Sequence, residues 1–427
     1  MTEGLDRRQF LGQTALGAAG MTVLHSAVAR AADDEPRKVV IGVMGMSRGR
    51  SLATSFAKQP GVEVRYVCDT DSGRVETGAS AVEQTGAPRP KVTGDFNDIL
   101  NDAEVDALVC AAPNHWHAPA TIIACAHNKH VYVEKPCCHN PYEGELMIQA
   151  ARKHNRAVQM GSQRRSSPTV QKAIELLKAG EIGRVYAASA HHAANRGSIG
   201  TGKPAEVPEN LDYELWQGPA PRTPYVDNRI HYNWHWLWHW GNGELGNNGV
   251  HSIDLCRWGL GVDYPIKVTS SGGRYAFQDD QQTPDTHTVA FEFPDRKMIT
   301  WEGRSCNGHK DDFVTFFGEN GSIVIKDDGA IVVYNKTDAV VLEEPGNRGD
   351  IEHIEDFLTA IRTNQPLKLN AEIEEGHKST LLCHLGNISQ RTGRTLNCNP
   401  ENGHIIGDES AMKHWKREYE PGWEPQV

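Results

Sequence analysis

The chain has 427 residues, 38% of them hydrophobic and 23% charged, with a formal net charge of −11. That composition suits a globular protein of one to three domains. The acidic balance argues against a nucleic-acid surface, which needs clustered Lys and Arg. No uninterrupted apolar run is long enough for a mature membrane-spanning helix.

The N-terminus carries "DRRQFLG" (6–12), a twin-arginine pattern, followed by the weakly apolar "LGQTALGAAGMTVLHSAVA". "AVARAA" then offers small residues for cleavage near Ala29 or Ala31. Residues 1–31 read as an export signal of the twin-arginine type, with the periplasm or cell envelope as destination. The plainer alternative is a disordered basic segment. Such export carries proteins that are already folded, often with a cofactor aboard, so no disulfide framework is needed. The nine cysteines show no repeated C-x-x-C spacing, and Cys68, Cys110 and Cys125 sit in apolar surroundings that suit a core.

From residue 36 the chain alternates strand and helix. "KVVIGVMG" (38–45), "VEVRYVCD" (62–69), "VDALVCAAP" (105–113), "HVYVEKP" (130–136) and "AVQMGSQ" read as strands, and "SLATSFAKQ", "HAPATIIACAHN" and "PYEGELMIQAARKHN" as helices. This alternation predicts an α/β domain with a doubly wound parallel sheet over 36–162.

A second domain is expected over 163–427. Ser167, Pro168 and Gly180 punctuate a helix over "SSPTVQKAIELLKAGEIG". A loop rich in Pro and Gly follows (195–226). "TVAFEFP" (288–294), "KMITWEG" (297–303), "DFVTFFGENGSIVIKD" (312–327) and "AIVVYNK" (330–336) then predict a largely antiparallel sheet, with Asn320-Gly321 as a hairpin turn. Two amphipathic helices close the chain. His377 and His384 lie on the second of these and read as buried packing residues.

The Gly-rich "GVMGMSRGR" joins the first strand to the first helix. There the backbone of Gly45, Met46, Ser47 and Arg48 lets a pyrophosphate approach N–H groups and the helix N-terminus. Ser47 stands in the place of the second Gly of the usual fingerprint if Gly45 is the first; otherwise the loop is one residue shorter. Asp69 ends the second strand and suits the ribose hydroxyls. It would repel a 2′-phosphate, which favours NAD over NADP. "AAPNHWHAPATI", with Ala112, Pro113, Asn114 and His117, and "VYVEKP", with Glu134 and Lys135, lie beyond the carboxyl ends of parallel strands, where open α/β sheets bind ligands.

In "WHWLWHWGNGELGNNGVHSID" (234–254), Trp234, Trp236, Trp238 and Trp240 fall at every second position. A helix would set successive members about 200° apart, so an extended ribbon is the simpler reading. A ribbon separates His231 from His235 by about 13 Å, too far for one zinc ion, and no metal is expected. The tryptophans are read chiefly as core. The sharper alternative places Trp234, His231 and His235 against a sugar, whose C–H faces suit aromatic rings. Asn247, His251 and Asp254 share one helical face. Asp254 either orients His251 or complements the helix start.

These residues carry a resemblance. "PNHWH", "EKP", the Gly-rich turn and "GELGNNGVHSIDLCRW" resemble the Gfo/Idh/MocA oxidoreductases, named after glucose-fructose oxidoreductase and inositol dehydrogenase, over nearly everything after the signal. The resemblance implies a Rossmann domain followed by an α/β domain built on an open sheet. It also implies a bound NAD or NADP, a sugar or cyclitol substrate, and a homodimer or homotetramer formed through the sheet's outer face. Lys135 matches the lysine that contacts cofactor and substrate hydroxyl, and His251 the general acid/base. Asn247 stands where many members have Asp; it can hydrogen-bond a hydroxyl but cannot take its proton. Gln163 and Arg164 are assigned to the substrate side with Asn247, His231, Trp234 and His235.

Three functions follow from this reading. The first is an exported NAD-dependent oxidoreductase acting on a sugar, glycoside or cyclitol. The second is a redox-neutral glycosidase or lyase working through a transient keto-sugar, with its NAD kept tightly bound. Export favours this one, because free NAD is not expected outside the cytoplasm, and so does Asn247. The third is a non-catalytic sugar-binding protein, against which the intact Lys135 and His251 count.

Overall fold

The computed structural model describes residues 36–427, so the signal read at residues 1–31 lies outside the described residues. Six strands, β1 (Val39–Met44), β2 (Val62–Cys68), β3 (Lys91–Thr93), β4 (Ala107–Cys110), β5 (His130–Val133) and β6 (Val158–Met160), form one sheet in the order β3-β2-β1-β4-β5-β6. All of its pairings are parallel. The apolar runs predict this arrangement: β1 is buried along its whole length, as a strand covered on both faces must be. Helices α1 (Arg48–Ala57), α2 (Ser72–Glu83), α3 (Asn97–Asn101), α4 (Asn114–Ala126) and α5 (Pro141–Lys153) connect the strands. The short strand β3 and helix α3 were not expected from the sequence. The strand order reverses between β1 and β4, and this opens a crevice at their carboxyl ends.

The chain continues through α6 (Pro168–Ala179), β7 (Val185–Asn195), α7 (Tyr213–Gln217) and α8 (Val250–Leu260). Strands β8 (Lys267–Gly273), β9 (Thr286–Phe293), β10 (Lys297–Arg304), β11 (Cys306–Asn307), β12 (Val314–Gly318), β13 (Gly321–Ile325), β14 (Ile331–Asn335) and β15 (Val340–Glu344) follow. Then come α9 (Asp350–Arg362), α10 (Ile373–Thr392), β16 (Leu396–Asn397) and α11 (Glu409–Met412). The second sheet runs β15-β14-β13-β12-β7-β10-β9-β8-β16, with β11 beside β7. Only β7 and β10 pair in parallel, so the sheet is largely antiparallel as expected.

The local signals behave physically. Ser167 accepts the Val170 amide and Gly180 ends α6 in the left-handed region. Asn320 lies between β12 and β13, and Gly321 opens β13 of that hairpin. Along β10, Ile299 and Trp301 point inward, while Met298 and Thr300 point outward. Helices α6, α8 and α10 pack on the inner face. On the outer face, Met298 and Phe317 flank Ala187, in register with it from both neighbouring strands, and both are exposed.

Two helices from the later part of the chain reach the first sheet. Phe357 and Ile361 of α9 join a core with Ile41, Val43 and Phe56. Helix α10 packs on α5. The parallel sheet is therefore finished by residues from beyond 163, which fixes the second sheet against its carboxyl edge.

Candidate active site

A cleft of about 720 Å³ opens at that carboxyl edge. Its floor is the turn after β1. Gly45 has φ +89°, and a Cβ there would stand 2.5 Å from the Ala111 carbonyl oxygen, so only glycine fits. Asp69 fixes the same turn by accepting the Met46 amide at 2.6 Å, and fixes the turn after β2 by accepting the Asp71 amide at 3.0 Å. Burial pushes the Asp69 carboxyl up from its usual range, opposed by those two amides and by Arg74 and His231.

The donor set can be tested against a dinucleotide. Asp71, Asn140 and Ser167 cap α2, α5 and α6 with their side chains. The N-termini of α1 and α4 have no side-chain cap, and both lie in the cleft. First-turn amides left without side-chain partners, at the positive ends of two helices, fit a pyrophosphate. Met46, Ser47, Arg48, Asp69, Ala112, Pro113 and Asn114 line this part.

The other end of the cleft is assembled around Lys135. Its ammonium donates to the Asn247 carbonyl at 2.8 Å and to the Asn247 side-chain oxygen at 3.1 Å. Burial pushes the Lys135 ammonium down from its usual range, with Glu134 and Glu244 opposing that and Arg48 and Arg196 adding to it. Glu134 pairs with Arg48 at 3.2 Å and accepts the Lys135 amide at 3.2 Å. Gln163 donates to Glu134 and to Tyr132. His251 lines the same space. Burial first, and then Lys135, Arg164 and Arg48, hold its imidazole far below the usual range, so it stands in the neutral form. Arg164 lies over the Phe313 ring and pairs with Asp327 at 2.8 Å.

Every residue expected at the site therefore lines one cleft, although their positions span more than 200 residues of sequence. Some roles change. His117, expected at the cofactor, has both ring nitrogens engaged by backbone, at 2.6 Å from the Pro136 oxygen and 2.7 Å from that of Ala112. It ties the loops after β4 and β5 together. Asp254 does not orient His251: it pairs with Arg165 at 2.8 Å and accepts the Ser379 hydroxyl. Helix α8 points Asp254 and His251 to different neighbours.

The Trp stretch is a correction. Residues Asn233–Trp236 form a 3₁₀ turn, not an extended ribbon. The period-2 spacing is satisfied by turns that send each ring elsewhere. Trp234 and Trp240 enter an aromatic cluster with Trp216 and Tyr213, and the Arg196 guanidinium lies over Trp236. His235 stacks on Trp234 with ring centroids 3.6 Å apart, while His231 turns to Asp71 at 2.9 Å. Sequence reading missed Glu244, His192, Arg196 and Arg74. Glu244 pairs with His192 and Arg196 and stands just before a π-helical turn, Leu245–Gly249, for which the sequence pattern offers no signal. His377 and His384 are buried, as expected.

Comparison with known proteins agrees with this geometry. Residues 37–162 match the oxidoreductase family's NAD-binding Rossmann fold, and residues 197–424 match its C-terminal alpha/beta domain. The chain belongs to the Gfo/Idh/MocA oxidoreductase family. The uncharacterized oxidoreductase YrbE of Bacillus subtilis is 22% identical over 77% of this chain and 88% of its own length. Inositol 2-dehydrogenase of Salmonella paratyphi B is 31% identical over 42% of this chain and 51% of its own. A glycosyl hydrolase family 109 protein of Shewanella pealeana is 30% identical over 31% of this chain and 34% of its own. The aligned part thus spans about half of the one and a third of the other.

Among solved structures, aldose-aldose oxidoreductase of Caulobacter crescentus, complexed with glycerol, superposes with a TM-score of 0.65 at 19% identity. It covers 84% of this chain and 100% of that one. The WlbA dehydrogenase of Bordetella pertussis, in complex with NADH and UDP-GlcNAcA, gives 0.64 at 19% identity over 85% and 99%. These likenesses establish the fold, and the first domain is an NAD-binding Rossmann domain.

Proposed function

We propose that the protein is an NAD-dependent oxidoreductase that moves a hydride between the CH–OH group of a sugar, glycoside or cyclitol and the nicotinamide. The observation that carries this reading is the juxtaposition, in one cleft, of the Lys135 ammonium and a neutral His251. When bound, the nicotinamide supplies the hydride acceptor. His251 takes the hydroxyl proton, and Lys135 polarises the same oxygen. Asn247 holds Lys135 and contributes no proton. Arg164, Gln163, Trp234, His235 and His231 bind and orient the substrate. Similarity to inositol 2-dehydrogenase and to a dehydrogenase determined with UDP-GlcNAcA supports this substrate class.

Residues 1–31 are read as a twin-arginine signal that sends the folded protein to the periplasm or cell envelope with its NAD tightly bound. The outer sheet face carrying Met298 and Phe317 is read as the interface of a homodimer or homotetramer.

A second reading is favoured by the similarity to a glycosyl hydrolase family 109 protein. Oxidation of a ring carbon to a ketone acidifies the neighbouring C–H and permits loss of the glycosidic group, after which the starting redox state is restored. A panel of aldoses, glycosides and cyclitols separates the two, with reduced nicotinamide and free sugar followed together. Accumulating reduced nicotinamide without sugar release supports the dehydrogenase. Sugar release without net reduction supports the redox-neutral reading, and silence in both channels across the panel overturns both.

A further inference from the structure

One buried carboxylate beside the cleft has no place in the roles above. Glu244 is 4% exposed. Arg196 donates to it at 2.6 and 3.2 Å, and the His192 Nε2 stands 3.4 Å away. The Asn248 amide also donates to it, and the Asn247 side-chain Nδ2 approaches it at 3.4 Å. The wide turn over Leu245–Gly249 sets Glu244, Asn247 and Asn248 side by side. Such turns recur at functional sites.

The orientation of Asn247 follows from its two neighbours. Its Nδ2 faces the Glu244 carboxylate and its Oδ1 faces the Lys135 ammonium. The flipped amide would set N–H against an ammonium and a carbonyl oxygen against a carboxylate, so each neighbour enforces the same orientation. An Asp at 247 would instead put two carboxylates within hydrogen-bonding distance.

We infer that Glu244 is a positioning residue: it holds the Asn247 amide oxygen on Lys135 and, beside Glu134, adds a second negative charge near the Lys135 ammonium. Through Arg196, which also donates to the Tyr232 hydroxyl at 2.8 Å and lies over the Trp236 ring, the same carboxylate fixes Tyr232, a residue lining the cleft, and the Trp236 ring beside it. The inference rests on the reading of Lys135 as the group that polarises the substrate oxygen. The charged and titratable groups around Lys135 are Glu134 and Glu244, Arg48 and Arg196, and the imidazoles of His117, His192, His235 and His251. Burial acts against a charged Glu244, but the Arg196 hydrogen bonds and charge, with His192, outweigh it and hold the carboxyl below its usual range.

The test needs neither substrate nor turnover, so it can fail independently of the proposed activity. The whole protein is treated with trace acetic anhydride across a pH series. Labelling of the Lys135 peptide is read by mass spectrometry against exposed Lys336, in wild type, Glu244→Gln, Asn247→Asp and the double variant Glu244→Gln/Asn247→Asp. Only the free amine reacts. Glu244→Gln is expected to shift the Lys135 midpoint down by about one unit, giving about tenfold faster labelling near neutral pH. Asn247→Asp slows labelling. The double variant, which moves the carboxylate by three positions and conserves charge, returns Lys135 to within about threefold of wild type. An unchanged midpoint in folded Glu244→Gln overturns the inference, as does a double variant that labels like the single one. If Glu244→Gln does not fold, the double variant decides: labelling like wild type supports the inference, and faster labelling overturns it.

Discussion

Lys135, two residues beyond β5, donates to both the backbone carbonyl and the side-chain oxygen of Asn247, inside the π turn before α8. The two bonds join the end of the parallel sheet to the second domain at the point where the hydride is proposed to pass. Lys135→Met removes this tie and the charge together. Turnover on the most reactive sugar should fall by about 100-fold or more. NAD affinity, measured by calorimetric titration, should change little, because the uncapped ends of α1 and α4 remain.

Asp69 accepts two turn amides and lies where the ribose is expected. Hydrogen bonds to charged groups contribute about 1.5–3 kcal/mol each. Asp69→Ala should weaken NAD binding by about tenfold or more. It should also raise the preference for NADP over NAD, since the carboxylate that repels a 2′-phosphate is gone. An unchanged ratio of the two affinities would remove Asp69 from ribose recognition.

Asp254 neutralises Arg165 in the interior, with the Arg165 side chain 4% and that of Asp254 2% exposed. Asp254→Ala leaves a buried guanidinium whose remaining carboxylate is Glu375 at 3.3 Å, with the Asn370 carbonyl at 3.4 Å. Urea denaturation should show a loss of about 3–5 kcal/mol. A loss below about 1 kcal/mol would mean that water or Glu375 replaces the partner.

His353 is buried in its neutral form. Its Nε2 faces the Met160 carbonyl at 2.9 Å and its Nδ1 the Ser166 hydroxyl at 2.8 Å. One tautomer satisfies both, donating from Nε2 and accepting at Nδ1. Burial lowers the imidazole to about 4, and burial lowers His287 and His377 to about 4 as well. The unfolded chain therefore binds more protons than the folded one between about pH 4 and 6.5, and stability rises with pH across that window. It is complete above about pH 6.5 and falls as pH drops toward 4. At about pH 5 the loss from His353 alone is on the order of 2 kcal/mol. Thermal melts should show Tm falling from about pH 7 to about pH 5, with a smaller fall in His353→Gln. Equal slopes in both proteins would reject this assignment.

Much of the fold was legible because the signals are local. Buried parallel strands announce themselves as apolar runs, Ser167 and Gly180 bracket α6, and Asn320-Gly321 marks a hairpin. What was missed lacks such signals. Strand β3 is three residues long, with Lys91 and Val92 exposed. Strand β15 is an edge strand with Val340 and Val341 facing outward. The tryptophans mislead because a period of two reads as a strand, whereas tertiary partners such as Trp216 and Arg196 dictate where each ring goes. Spacing offers Asp254 either His251 or the helix start, but its partner Arg165 lies 89 residues away. Glu244 escaped notice because its role depends on a helical irregularity that no residue spacing encodes.

The proposed activity is removal of a hydride from a bound carbohydrate in this cleft, with His251 and Lys135 handling the proton. Its most direct test is rapid mixing of NAD-loaded protein with the most reactive sugar of the panel, following the absorbance of reduced nicotinamide. Absorbance should rise in the wild type, and the rise should be slowed by about 100-fold or more in both His251→Ala and Lys135→Met. No reduced nicotinamide with any sugar, or unaltered rates in both variants, would contradict it.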